Sequence, residues 1–186
     1  TDIFGQSMDI SHSANTQPPV RLRSPETAQH ATDVRDDLFM PELYRYTFPE
    51  LVATNRECGE DEESYKAMAG FSFLYGLRFD MTIYRCCGSL RDIPRYAAYL
   101  KEISALYEQY GDFLLRGRFV DGDGFTSDSE NVLVKGWEGC NGGLAVSLWN
   151  PTGEDQVVNL RSCKTGRAVT IVVPAERVAA AVIDEA

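Results

Sequence analysis

The residues able to do chemistry in this chain are carboxylates set among aromatic side chains. Asp2 and Asp9 fall in "TDIFGQSMDIS", Glu42 and Glu50 in "MPELYRYTFPE", and Asp80 in "LRFDMTIYR". Aromatic faces stack on the C–H surface of a sugar ring, and two carboxylates serve as acid and nucleophile in breaking a glycosidic bond. Tyr44, Arg45 and Tyr46 stand in the same stretch as Glu50, where they suit ligand contact, with Asp80 as a further charged group. Each carboxylate also has an ordinary reading as a salt-bridge or capping residue, because structural networks perturb acids as well. Pro49-Glu50 in particular has the composition of a helix start, with proline in the first turn and an acid at the positive end of the dipole.

Other chemistries find less support. Asp121, Asp123 and Asp128 suggest a calcium loop, but counting from Asp121 puts Phe125, Thr126 and Val132 where an oxygen ligand, a glycine and a glutamate belong. A solvated acidic turn is the simpler reading. There is no GxSxG, HExxH, GxGxxG or P-loop. Both histidines, His12 and His30, lie in a polar stretch and read as surface residues. Cys58, Cys86, Cys87, Cys140 and Cys163 form no CxxC pair, so neither a metal nor a cofactor is expected. An odd, scattered set fits reduced thiols in a cytoplasmic protein.

The net charge of -10 argues against a nucleic-acid partner, which would need clustered Lys and Arg. No apolar run approaches the roughly 20 residues of a membrane span. The opening residues lack the basic start and apolar core of a secretory signal, and they read as the middle of a longer protein.

The elements that must position these residues divide near residue 120. Residues 11–37 are polar and proline-interrupted, the pattern of a long loop. "YRYTF" has the aromatic and β-branched content of a short strand. "GEDEESYKAMAGFSFLYG" opens with four acids and then repeats apolar residues near the helical period. "LRFDMTIYR" alternates as a strand does, with continuation of the helix as the alternative. A third helix follows, with Asp92 as cap, Pro94 in the first turn, a stripe from Ile93 to Leu114, and Gly117 as a left-handed stop. Beyond "DGDGFTSDSE", the runs "NVLVKGW", "GLAVSLWN", "QVVNLR", "AVTIVV" and "VAAAVID" alternate with turn-rich segments, which indicates an antiparallel sandwich. The expected fold is α/β followed by all-β, in two domains, 1–119 and 120–186.

The order of these parts resembles the last strands and helices of a TIM barrel followed by a small β-sandwich, as in many glycoside hydrolases. More narrowly, "LYRYTFPE" with "YGLRFDMTIYR" is similar to bacterial glycoside-hydrolase-like barrel proteins. The resemblance covers most of the chain, from Thr1 to Ala186, but only the C-terminal part of such a protein. It implies the last βα units of a (β/α)8 barrel, with Asp2, Asp9 and Glu50 near the barrel mouth. Tyr44, Arg45, Tyr46 and Asp80 would shape the substrate site. The chain departs from the family in length, since a TIM barrel runs to roughly 250 residues. The remaining βα units would then come from a preceding segment or a second polypeptide, or the exposed edges would drive oligomerisation. A carbohydrate ligand is implied. The alternative is a non-catalytic carbohydrate-binding or subunit-interaction module, with Trp137 and Trp149 either as stacking platforms or as core residues.

Overall fold

The computed structural model describes residues 41–49, 51–59, 64–83 and 88–185. A short helix α1 (Pro41–Thr47) leads to strand β1 (Thr54–Gly59), helix α2 (Ser64–Leu74) and strand β2 (Arg78–Ile83). Strands β1 and β2 pair in parallel, from Thr54 opposite Arg78 to Gly59 opposite Ile83, with α2 as the crossover. The long helix α3 (Pro94–Leu114) follows. Seven strands complete the chain: β3 (Arg118–Asp121), β4 (Phe125–Ser127), β5 (Leu133–Glu138), β6 (Leu144–Trp149), β7 (Gln156–Ser162), β8 (Ala168–Val173) and β9 (Val178–Asp184).

These seven strands form two antiparallel sheets, in the orders β3-β5-β6-β9 and β4-β7-β8. The larger sheet is buried on both faces, which explains why "LAVSLW" reads as a nearly continuous apolar run. Val146, Leu148, Ala181 and Ile183 point to the smaller sheet and meet Phe125, Val158, Leu160 and Val173. On the opposite face Trp137, Trp149, Val178 and Ala180 share one core with Phe71, Phe73 and Leu74 of α2 and Tyr96, Tyr99 and Ile103 of α3. The result is a helical layer on a β-sandwich. The parallel pair adjoins the helical layer.

Polar contacts fasten the layers. Trp137 Nε1 donates to Ser147 Oγ at 2.9 Å, and that hydroxyl donates to the Leu74 carbonyl at 2.7 Å. Gly76, at φ +60, turns the chain from α2 into β2 where a Cβ would sit 2.7 Å from the Trp137 ring and 2.8 Å from the Leu114 carbonyl. Lys66 pairs with Glu176 at 3.0 Å, and Arg177 pairs with Glu102 at 3.3 Å while covering the Tyr99 ring.

Five expectations are corrected. "YRYTF" is not a strand: its first four residues complete α1, which Pro41 opens with Glu42 in its first turn. No helix starts behind Pro49 among the described residues, where 51–53 are irregular and β1 begins at Thr54. Asp92 does not cap α3; it closes a 3-10 turn over Leu90–Asp92 by accepting from Ser89, and Ile93 takes the cap position. Gly117 is not left-handed. Its requirement is steric, since a Cβ there would lie 2.7 Å from the Glu138 carbonyl. Trp137 and Trp149 are buried and therefore are not stacking platforms.

Candidate functional site

Of the residues singled out from the sequence, Asp2, Asp9 and Glu50 lie outside the described residues. Tyr44, Arg45 and Tyr46 are successive residues of α1 and so diverge around its axis. Tyr44 is half-buried against Phe48, with ring centroids 5.5 Å apart. Tyr46 is 47% exposed and meets the Phe119 ring edge-on at 5.5 Å. Asp80 sits in β2, half-buried. Arg45 alone of these four enters a cavity wall.

That cavity, about 1100 Å³, lies where five segments meet. They are α1 with the residues after it, the start of β2, the end of α3, the start of β3, and the β5–β6 turn. Arg45, Arg78, Arg116 and Arg118 contribute to its wall, as do Phe79 and Tyr107. Tyr107 is held in place by its hydroxyl, which donates to the Leu77 carbonyl at 3.3 Å. The arginines other than Arg45 were not anticipated. The signal was present in "LLRGRF" and "GLRF", where basic residues bracket or follow glycine at element ends.

Arg45 is 5% exposed. Its Nη1 donates to the Leu51 carbonyl at 3.3 Å, and its Cζ stands 5.2 Å from the centre of the Trp137 ring. Burial pushes this guanidinium below its ordinary value. Leu51 and Val52, just before β1, and Leu77 to Phe79, at the start of β2, place the cavity at the N-terminal ends of the parallel pair. The C-terminal ends, Gly59 and Ile83, are about 17 Å away at the normal rise of a strand.

A second polar cluster holds α1 on the sheet. Lys135 Nζ reaches Glu42 Oε1 at 2.8 Å and Asp121 Oδ1 at 2.6 Å, and Tyr75 Oη donates to Glu42. Burial alone would raise Glu42, but the bonds from Lys135 and Tyr75 outweigh it and hold the carboxyl below its ordinary 4.5. Burial likewise opposes the charge on Lys135, yet Asp121 and Glu42 hold it above 10.5. The Glu42 contribution is therefore complete above about pH 4.5 and is lost as pH falls through its lower folded value. The Lys135 contribution is complete below about pH 10.5 and is lost as pH rises through its higher folded value. Acid titration followed by NMR of the α1 amides will show α1 loosening below pH 4.5. Lys135→Met will move that loosening to higher pH. An α1 spectrum indifferent to both would show that the cluster does not hold the helix.

No family model, curated protein or solved structure matches this chain.

Proposed function

We propose that this chain is the C-terminal portion of a glycoside-hydrolase-like barrel with its trailing β-sandwich, part of an enzyme that cleaves glycosidic bonds with paired carboxylates. The β1–α2–β2 unit carries this reading. Parallel strands are stable in larger sheets covered on both faces, yet among the described residues β1 pairs with β2 alone. Two strands whose outer edges have no partner among the described residues call for more strands beside them. A long helix and an antiparallel sandwich follow in the order expected at the end of such a barrel.

In a closed barrel the chemistry belongs at the C-terminal ends of the strands. Here that face follows Gly59 and Ile83. Asp2, Asp9 and Glu50 are the carboxylates proposed for the reaction. Pro49 and Leu51 line the cavity at the opposite end of the pair.

The test is hydrolysis of a panel of aryl glycosides by the complete assembly, with Asp2→Asn, Asp9→Asn and Glu50→Gln compared. Loss of turnover by about 10²–10⁴-fold in at least one variant that keeps its melting temperature is expected for an acid or base of the reaction. An active assembly in which all three variants keep full turnover would remove these residues from the chemistry. Glycan binding without hydrolysis would favour a non-catalytic carbohydrate-binding module. That second reading has its own support, because among the described residues the cavity wall holds four arginines and one carboxylate, Glu138, a set better suited to binding than to acid–base hydrolysis.

A further inference from the structure

Two charged residues are buried among the described residues, Arg45 and Asp184. They are satisfied very differently. Asp184 accepts hydrogen bonds from Ser162 Oγ and Thr165 Oγ1, each at 2.6 Å. Arg45 has one long bond to a carbonyl, an Nε with no hydrogen-bond partner, and no described carboxylate in pairing distance. A guanidinium held this way is costly, because buried charges require a counter-charge and hydrogen bonds to all their donors. Its side chain lines the cavity with Nε closed off, so a partner arriving from outside meets the terminal nitrogens of the guanidinium.

The remainder of the wall fits the same partner. Arg78 forms no described ion pair. Arg116 is paired with Asp112, and Arg118 with Glu138 at 2.5 Å, both on exposed side chains where such pairs are weak and easily exchanged. Four arginines thus line one cavity in a chain whose net charge is -10, so the described wall is more basic than the chain as a whole even with Arg116 and Arg118 paired at the surface. Phe79 and Tyr107, with ring centroids 6.3 Å apart, add aromatic surface beside the charges.

We propose that this cavity binds a small organic molecule bearing an oxyanion, a phosphate or a carboxylate, with Arg45 supplying the paired N–H donors and Arg78 a second positive charge. The planar fork of a guanidinium matches two oxygens of either group, and a desolvated fork binds them more strongly than an exposed lysine would. Phe79 and Tyr107 take the apolar or ring portion of the ligand. The site lies at the N-terminal ends of β1 and β2 and does not depend on the barrel reading; it is read without any glycoside present.

The test is isothermal calorimetry on the full chain with phenyl phosphate, benzoate and inorganic phosphate, repeated for Arg45→Met and Arg78→Gln. Saturable binding is expected for phenyl phosphate or benzoate, and whichever binds more tightly identifies the anionic group. The aromatic surface predicts phenyl phosphate binding more tightly than inorganic phosphate. Arg45→Met should weaken binding by about tenfold or more, as loss of charge-assisted hydrogen bonds does. Its melting temperature without ligand should stay level or rise, because the charge removed had no described counter-charge and only one long hydrogen bond. Arg78→Gln, on an exposed side chain, keeps the fold and should weaken binding by a smaller factor. Absence of saturable binding to the unaltered chain would overturn the proposal, as would binding indifferent to both substitutions. So would an Arg45→Met chain that is much less stable without ligand, since Arg45 would then be a structural residue.

Discussion

Replacing Trp137 by alanine will lower the unfolding free energy by about 3–5 kcal/mol, the range for truncating a buried large aromatic. The ring is fully buried on the helical face of β5, where the larger sheet meets α2 and α3. Phe119 meets it edge-on at 5.1 Å, Gly76 turns against it, and its Nε1 donates to Ser147. Truncation leaves a cavity and deprives the Ser147 hydroxyl of a donor. It also removes the aromatic face beneath Arg45, so the arginine-lined cavity loses its support together with the core. Urea denaturation should show an earlier midpoint with an unchanged slope. A loss below about 1 kcal/mol would mean that the helical layer and the sheet are not one cooperative unit.

Asn150→Leu is expected to cost about 3 kcal/mol or more, because several backbone groups depend on one side chain and burying an unpaired polar group costs about 1–3 kcal/mol each. Asn150 lies at the end of β6, fully buried. Its Nδ2 is within bonding distance of the carbonyls of Glu154, Val173 and Pro174, at 2.8, 3.0 and 3.1 Å. Its Oδ1 accepts from the Thr152 amide and hydroxyl. Asn150 therefore ties the β6–β7 turn to the end of β8, joining the two sheets at one corner. Leucine fills a similar volume and satisfies none of these groups. Thermal unfolding would report the loss, and a melting temperature equal to that of the unaltered chain would show that water replaces the amide.

The strands of the sandwich were legible because alternation and turn residues agree with each other. "QVVNLRS" buries Val158, Leu160 and Ser162 and exposes the residues between them. The helices α2 and α3 were legible from their periods, and Tyr96, Ile103 and Leu114 of the α3 stripe are buried. Failure came where propensity and context disagree. Tyr44, Tyr46 and Thr47 favour strands locally, but Pro41, Glu42 and the docking of Glu42 on Lys135 make the segment a helix. Strand β1, "TNRECG", shows no apolar alternation, and its partner is β2, across α2. Parallel pairing leaves no local mark in the sequence.

The cavity was the least legible feature, since its wall is assembled from five segments spread between Arg45 and Gly142. Arg45 was picked out for its aromatic neighbours, whereas its importance lies in being buried without a counter-charge. No pattern in one dimension distinguishes such an arginine from a solvated one. The same holds for the Glu42–Lys135–Asp121 cluster, whose members come from α1, β5 and β3.

The most direct test of the barrel reading is the solution mass of this chain in the form isolated from its natural source, by light scattering and mass spectrometry. The account predicts that the chain is found joined to, or in complex with, polypeptide that supplies further parallel strands beside β1 and β2. Hydrogen exchange would then show both outer edges of the pair protected. A stable monomer of 20.7 kDa with those edges open to exchange would contradict it.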